Sequence, residues 1–447
     1  MPSFKKNNGF PILLSTLFVP MFHCATLCRT TLCRTTLCRT TLCRTMLYCV
    51  TLFCTTFCCT KLHANDDWLQ FRGPEQHSQI DIQLPARIDP TETVKWVLDL
   101  PGKGVSGPIV VGDRVFVSCS STPAQNQLHV VCADAKSGKQ IWHRQFWALG
   151  RCSSDPTSAN AAPTPASDGT HVIAFYSSND LVCFDLEGNL KWLRALTDDY
   201  PKAANDVGMA SSPIIYNGVI YVQVENQGDS FIAAVDIKTG ANLWKVARPR
   251  KASWSSPIII PADGKRPQML IALSGDRLSA LNTTDGSAYW DIEGATYPIP
   301  SPVFDAQSNT LLASINGLSA FHIVDSLQPS AVWSDQRLSP SNVSCVIKAD
   351  QLYTLNRSGV AICAKIRTGE EVWKSRVGGG HYATPVLAKN LIYYFSQDGI
   401  GRILKTDGVE PEVISEYKFQ EAILGTPAAS KDAIFVRREK HLMRISD

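Results

Sequence analysis

Several things are missing from this chain of 447 residues, and each absence removes a class of function. The longest apolar runs, Phe10 to Phe22 and Leu47 to Cys59, fall short of the roughly 18 residues that a membrane-spanning helix needs. No charge of one sign dominates the body. The formal net charge of +3 arises from the first 64 residues, which hold seven basic side chains (Lys5, Lys6, Arg29, Arg34, Arg39, Arg44, Lys61) and no acid. The remainder sets 36 basic against 40 acidic residues, which leaves no electrostatic footprint for nucleic acid. The paired close cysteine spacings of zinc sites are absent. Nine of the 15 cysteines lie in the first 64 residues, where Thr-Leu-Cys-Arg-Thr is repeated four times in tandem from Thr26 to Thr45. A five-residue step of this kind reads as expansion of a short repeat, so no metal site is expected. No loop carries the dense acids of a calcium site. The glycine run Gly378-Gly379-Gly380 precedes His381 and a strand-opening proline, not the helix whose N-terminus would hold phosphate. Serine, histidine and aspartate can be grouped at will in such a chain, and without geometry no catalytic residue is assigned.

What is present begins with an export leader over 1–64. Lys5 and Lys6 ahead of the run Phe10 to Phe22 read as a signal peptide from Met1; a start at Met46 would instead use Leu47 to Cys59, with an exit at Leu62-His63-Ala64. Both readings export the body, and membrane association is expected only through this leader. Six cysteines remain beyond it, and Cys119 with Cys132 would sit on neighbouring strands. They read either as a disulfide or, as most free cysteines do, as small apolar fillers.

A lead-in over 65–93 is followed by a repeat over 94–447. Its closing tryptophans, Trp96, Trp142, Trp192, Trp244, Trp290, Trp333 and Trp373, stand at steps of 46, 50, 52, 46, 43 and 40 residues. Each period opens a strand at a Ser/Thr/Gly-Pro or its equivalent (Pro108, Pro165, Pro213, Pro257, Pro302, Pro385, Pro427, with Ser344-Cys345 standing in once). Proline at the first residue of a strand loses no ladder bond. A hairpin turn, a second apolar strand, a third strand ending in Asp or Asn, a turn such as Lys238-Thr239-Gly240, and the tryptophan then follow. This period fits one four-stranded propeller blade. The last unit supplies three strands and stops, while Val94-Lys95-Trp96-Val97-Leu98 has no blade of its own. The fold expected is all-β: an eight-bladed β-propeller of four-stranded antiparallel blades, closed by the N-terminal strand completing the last blade.

The order of strand, Asp, Thr-Gly and Trp, from Lys95 to Asp447, resembles the pyrroloquinoline-quinone-type propeller repeat. That repeat is shared by quinoprotein dehydrogenases and by BamB, the propeller lipoprotein of outer-membrane β-barrel assembly. Trp68-Leu69-Gln70-Phe71-Arg72-Gly73-Pro74 resembles the opening of a group of secreted bacterial proteins with the same repeat. Resemblance to the dehydrogenases would imply PQQ, a calcium set of Glu, Asn and Asp, and often a vicinal cysteine pair. The adjacent cysteines here, Cys58 and Cys59, lie in the leader. The resemblance therefore implies the fold and leaves the cofactor open.

Propellers place ligands at the axial mouth. The residues three before each strand opening are Val105, Ala162, Ala210, Trp254, Ile299, Asn342, Tyr382 and Leu424, a ring that is small and apolar except at Trp254, Asn342 and Tyr382, with His381 beside it. These four are the candidate ligand residues; the alternative is that they simply fill the channel. The function expected is an exported, non-catalytic, monomeric scaffold that binds a protein or peptide through its rim loops. Alternatives are a PQQ-dependent oxidoreductase and a small-ligand or sugar-binding propeller.

Overall fold

Turn residues cut the apolar runs into short strands, and a computed structural model arranges these in eight antiparallel sheets around a ring. It describes residues 67–203, 207–325, 328–407 and 410–447, so the segment 1–64, expected to be an export leader, lies outside the described residues. Blades 1 to 7 span 109–147, 166–195, 214–247, 258–293, 303–335, 346–376 and 386–418. Blade 8 takes three strands from 428–446, and its outer strand is Val94–Asp99, antiparallel to His441–Ser446. The ring is thus closed by pairing the two ends of the repeat, as the strand count requires. Among the described residues the helix recorded is a single turn, Leu196–Asp199, and none is long and apolar enough to cross a membrane.

The core lies between blades. Ile173, Phe175, Leu181 and Cys183 of blade 2 pack on Ile220, Val222, Phe231 and Ala233 of blade 3, and such layers recur around the ring. Outer strands alternate half-buried and exposed residues, as in Val94–Asp99 and Asn242–Ala247, because one face meets solvent.

Each tryptophan seals a blade to the next one. In blade 3 the ladder pairs Ala234 with Trp244 and Val235 with Asn242, so Leu243 is an extra, bulged residue. The same shift falls beside Trp96, Trp142, Trp192, Trp290, Trp333 and Trp373. A bulge re-aims the side chains around it. The residue before the tryptophan turns outward (Ile141, Leu243, Val332 and Val372 are exposed), and the indole turns onto the following blade. There it covers a turn glycine. Trp192 lies on Gly240, where a Cβ would come 2.7 Å from the indole, and Trp96, Trp142, Trp244 and Trp333 meet Gly138, Gly188, Gly286 and Gly369 in the same way. The indole Nε1 donates to a backbone carbonyl of that turn, from Trp192 to Ile237 and from Trp244 to Thr283 at 2.8 Å. The aspartate of the motif shapes the turn: Asp236 accepts from the Thr239 N–H and hydroxyl, both at 2.8 Å.

The body cysteines are free. Cys119 packs with Val115 and Val117 on one face of blade 1, whereas Cys132 packs with Phe116 on the other, so no disulfide joins them. Both fill apolar space.

The lead-in enters the propeller. Trp68 bridges Val110 in the inner strand of blade 1, the Ser167 N–H of blade 2 donates to Leu69 O, and Gln76 exchanges side-chain bonds with the Ile259 backbone of blade 4. Gln79–Ile80 then pairs in parallel with Val386–Ala388 as a fifth, innermost strand of blade 7. These contacts carry the segment across the axial channel.

Candidate functional site

Because each inner strand starts at the same end of the ring, the residues ahead of it converge on one mouth. Val105, Ala162, Ala210, Trp254, Ile299, Asn342, Tyr382 and Leu424 all line a single cavity of about 380 Å³. The connections 148–165 and 196–213 build up its wall with Asp155, Thr157, Ser158, Val207, Gly208 and Met209, and the Trp254 Nε1 donates to Gly208 O at 2.9 Å. Phe71 from the lead-in lies among the lining residues as its floor.

Just inside the collar runs a ring of hydroxyls. The backbone N–H of Gly107 donates to Thr164 Oγ1, that of Thr164 to Ser212 Oγ, and so on through Ser256, Ser301, Ser344, Thr384 and Thr426, each bond 2.9–3.1 Å long and each crossing to the next blade. The circle stops at Gly107, where a Cβ would stand 2.3 Å from Thr426 O. Six of these seven are the Ser/Thr of strand-opening Ser/Thr-Pro pairs, and Ser344 of Ser344-Cys345 is the seventh. The sequence displayed them, but proline alone accounted for the pair there; the partner of each hydroxyl is one blade away in the chain.

Below the floor sits Arg72, which is 1% exposed. Its Nη2 donates to Pro302 O at 2.8 Å, while Nε and Nη1 have no partner, and among the described residues no carboxylate pairs with it. Burial pushes its guanidinium down to about 9, which leaves it cationic at neutral pH. Arg72 and Gln76 share a void of about 10 Å³ with Ser212 and Ser256 of the hydroxyl ring.

Of the four candidate ligand residues, the structure brings Trp254, Asn342 and Tyr382 to the mouth cavity and turns His381 away. His381 is 3% exposed, edge-on to Tyr394 with centroids 6.2 Å apart, and burial pushes its imidazole down to about 4. The adjacent Tyr382 is 43% exposed and lines the mouth, so the two side chains part company. His381 instead lines a second, polar cavity of about 420 Å³ with Tyr297, Arg357 and Gln397. Asn342 and Tyr382 stand between the two cavities, and Asn342 accepts from the Tyr297 hydroxyl.

Elsewhere, Ser121 Oγ, His129 and His143 form a string of 2.8 and 2.9 Å contacts in blade 1. None of the three lines the mouth cavity, and burial pushes His129 down to about 4.

Residues 87–222, 202–317 and 321–410 match the family described as outer membrane protein assembly factor BamB. The chain belongs to the BamB family. It is 24% identical over 287 residues to the BamB of Bordetella pertussis, a match that takes in 61% of this chain and 65% of that protein. A polyvinylalcohol dehydrogenase of Pseudomonas sp is also 24% identical, over 217 residues, 40% of this chain and 32% of the enzyme. The chain thus spans just under two thirds of the one relative and about a third of the other. Among solved structures, BamB of Moraxella catarrhalis superposes with a TM-score of 0.60 at 16% identity, covering 79% of this chain and 97% of that one. A europium-containing methanol dehydrogenase gives 0.65 at 13% identity, covering 84% and 90%. At such identities the likeness carries the fold.

The dehydrogenase relatives raise the question of PQQ and calcium. PQQ carries three carboxyl groups, and among the described residues no lysine or arginine lines the mouth cavity. The carboxylate among its described lining residues, Asp155, is already bound by Thr157, whose hydroxyl and N–H hold it below the usual range. No group of three His, Cys, Asp or Glu side chains placed to hold a metal occurs among the described residues. The lining does not fit the quinone or its ion.

Proposed function

We propose that the protein is an exported, non-catalytic propeller that serves as an assembly scaffold by docking a protein partner on its mouth-side loops. The observation that carries this reading is apolar exposure at that end. Trp147 and Leu149, where the outer strand of blade 1 runs into its long connection, are each 60% exposed, and Val207 and Tyr382 are 45% and 43% exposed. Large aromatic side chains held out in water on a rigid ring are the kind that anchor protein interfaces. Membership of a family described as an assembly factor supports the same reading, and the two signal-like runs of the leader support export.

A quinone-dependent oxidoreductase is the alternative, and the likeness to dehydrogenases supports it. A mouth with no lysine or arginine among its described lining residues speaks against it. The test is a photo-crosslinking amino acid placed at Leu149 on the mouth side or at Lys136 on the opposite end, in cells expressing the full chain. A discrete adduct from position 149 that is absent from 136 and lost on Trp147→Ser is expected. Equal labelling from both ends would end the proposal.

A further inference from the structure

The hydroxyl ring has a feature that blade-to-blade bonding does not use. Each of Thr164, Ser212, Ser256, Ser301, Ser344, Thr384 and Thr426 accepts a backbone N–H, yet among the described residues none has an acceptor for its own proton. A hydroxyl that has accepted one bond still has its O–H to give. All seven residues line the same cavity, so up to seven donors are available to a ligand there. Beneath them, across the Phe71 ring at 5.4 Å, lies a buried guanidinium with two unpartnered nitrogens and, among the described residues, no counter-ion. An uncompensated buried cation is costly, and an anion is the partner that would offset it. The collar above is apolar: Val105, Ala162, Met209, Ile299, Leu424 and the Trp254 ring.

We propose that the mouth cavity binds a small apolar monocarboxylate, its carboxylate against the hydroxyl ring above Arg72 and its hydrocarbon body in the collar. Charge selects the class. One guanidinium matches one carboxylate, whereas a tricarboxylate such as PQQ would bring two further negative charges into a lining with no lysine or arginine among its described residues. Polarity selects the orientation, because O–H donors stand deep and apolar side chains stand shallow. Size agrees, since a cavity of about 380 Å³ admits one aromatic or branched aliphatic acid. The Asp155 carboxylate remains tied to Thr157 at the wall. The ligand could be a free acid or the C-terminal residue of a peptide, which present the same chemistry. The inference does not depend on the docking of a partner at the loops.

The test is calorimetric titration of the full chain at pH 7 with phenylacetate and with its neutral isostere phenylacetamide. Phenylacetate should bind at least about 10-fold more tightly, because the amide oxygen also accepts from the hydroxyls but only the anion makes charge-assisted bonds and offsets the cation. Arg72→Gln should reduce the acid to the level of the amide. Should that variant fail to fold, Ser301→Ala, which removes one donor, should weaken the acid several-fold and the amide less, because the bond to the anion is the stronger one. A second arm compares a tripeptide ending in free phenylalanine with phenylacetate: tighter peptide binding assigns the site to a C-terminus, and the reverse assigns it to a free acid. Equal binding of acid and amide, no binding of either, acid binding that survives both substitutions, or tighter binding of PQQ would each overturn the proposal.

Discussion

Gly240 isolates the energy of one blade-to-blade seal. Its φ is +72°, and a Cβ there would come 2.7 Å from Trp192 Cδ2 and 2.9 Å from Cε3. The indole cannot slide away, because its Nε1 is bonded at 2.8 Å to Ile237 O of the same turn. Gly240→Ala therefore meets two costs. The left-handed backbone costs a residue with a Cβ about 1–2 kcal/mol. Overpacking against a fixed ring adds about 1–3 kcal/mol. Gly218, in the same blade, has φ +76° but its nearest atom, Ile237 Cγ2, is 3.9 Å away, so Gly218→Ala meets the first cost alone. The two variants should differ by about 1–3 kcal/mol, the packing term by itself. Urea unfolding followed by tryptophan fluorescence, compared at equal m-values, measures this difference. In a Trp192→Ala background the Gly240→Ala penalty should fall to that of Gly218→Ala, which closes the double-mutant cycle. Equal destabilisation of the two glycine variants in the wild-type background would refute the idea that the tryptophans read the turn glycines.

Two other predictions concern polar groups that burial has stranded. Trp290 Nε1 is buried without a partner, whereas Trp244 Nε1 bonds to Thr283 O, so Trp290→Phe should cost less than Trp244→Phe by about 1 kcal/mol; the opposite ranking in urea midpoints would contradict the assignment. Burial depresses His381 from 6.5 to about 4, so between those values the unfolded chain binds a proton that the folded chain refuses. Stability is then complete above pH 6.5 and declines as pH falls towards 4, and His381→Leu should flatten that slope by at most about 1.4 kcal/mol per pH unit. An unchanged slope in the variant would mean that His381 is not held neutral.

The elements legible in the sequence were those with a period. Blade number, the closing strand and the mouth ring follow from the spacing of Trp, Thr-Gly and Ser/Thr-Pro, because every blade repeats the same local physics. The unread parts are those that act across blades or only once. Gln79–Ile80 adds a two-residue parallel strand to blade 7 from more than three hundred residues away, and nothing in Gln-Ile signals it. Arg72 looks like an ordinary loop arginine until the lead-in is seen to cross the channel. His381 was grouped with Tyr382 by adjacency, and the fold buries the one and exposes the other. The hydroxyl ring lies between these cases: its members were visible one by one, but their bonds join residues 40–57 positions apart.

The lead-in also changes what the axis of this propeller can be. With Phe71 beneath the mouth and Trp68, Leu69 and Gln76 bonded to inner strands on several sides, the cavity is a cup, reached from the loops. Whatever enters must leave past the loops at the mouth, where Val207 and Tyr382 line the cavity and are themselves exposed. A partner docked on those loops would cover the cup, so the two proposed occupants meet at one opening. Their affinities are then coupled, and by thermodynamic linkage the factor by which a carboxylate alters partner binding equals the factor by which the partner alters carboxylate binding. A sealed acid would be held more tightly under the partner, whereas an acid that is itself the partner's C-terminus would compete with the free one. The sign of that coupling therefore distinguishes a scaffold that senses a ligand from one that recognises a chain end.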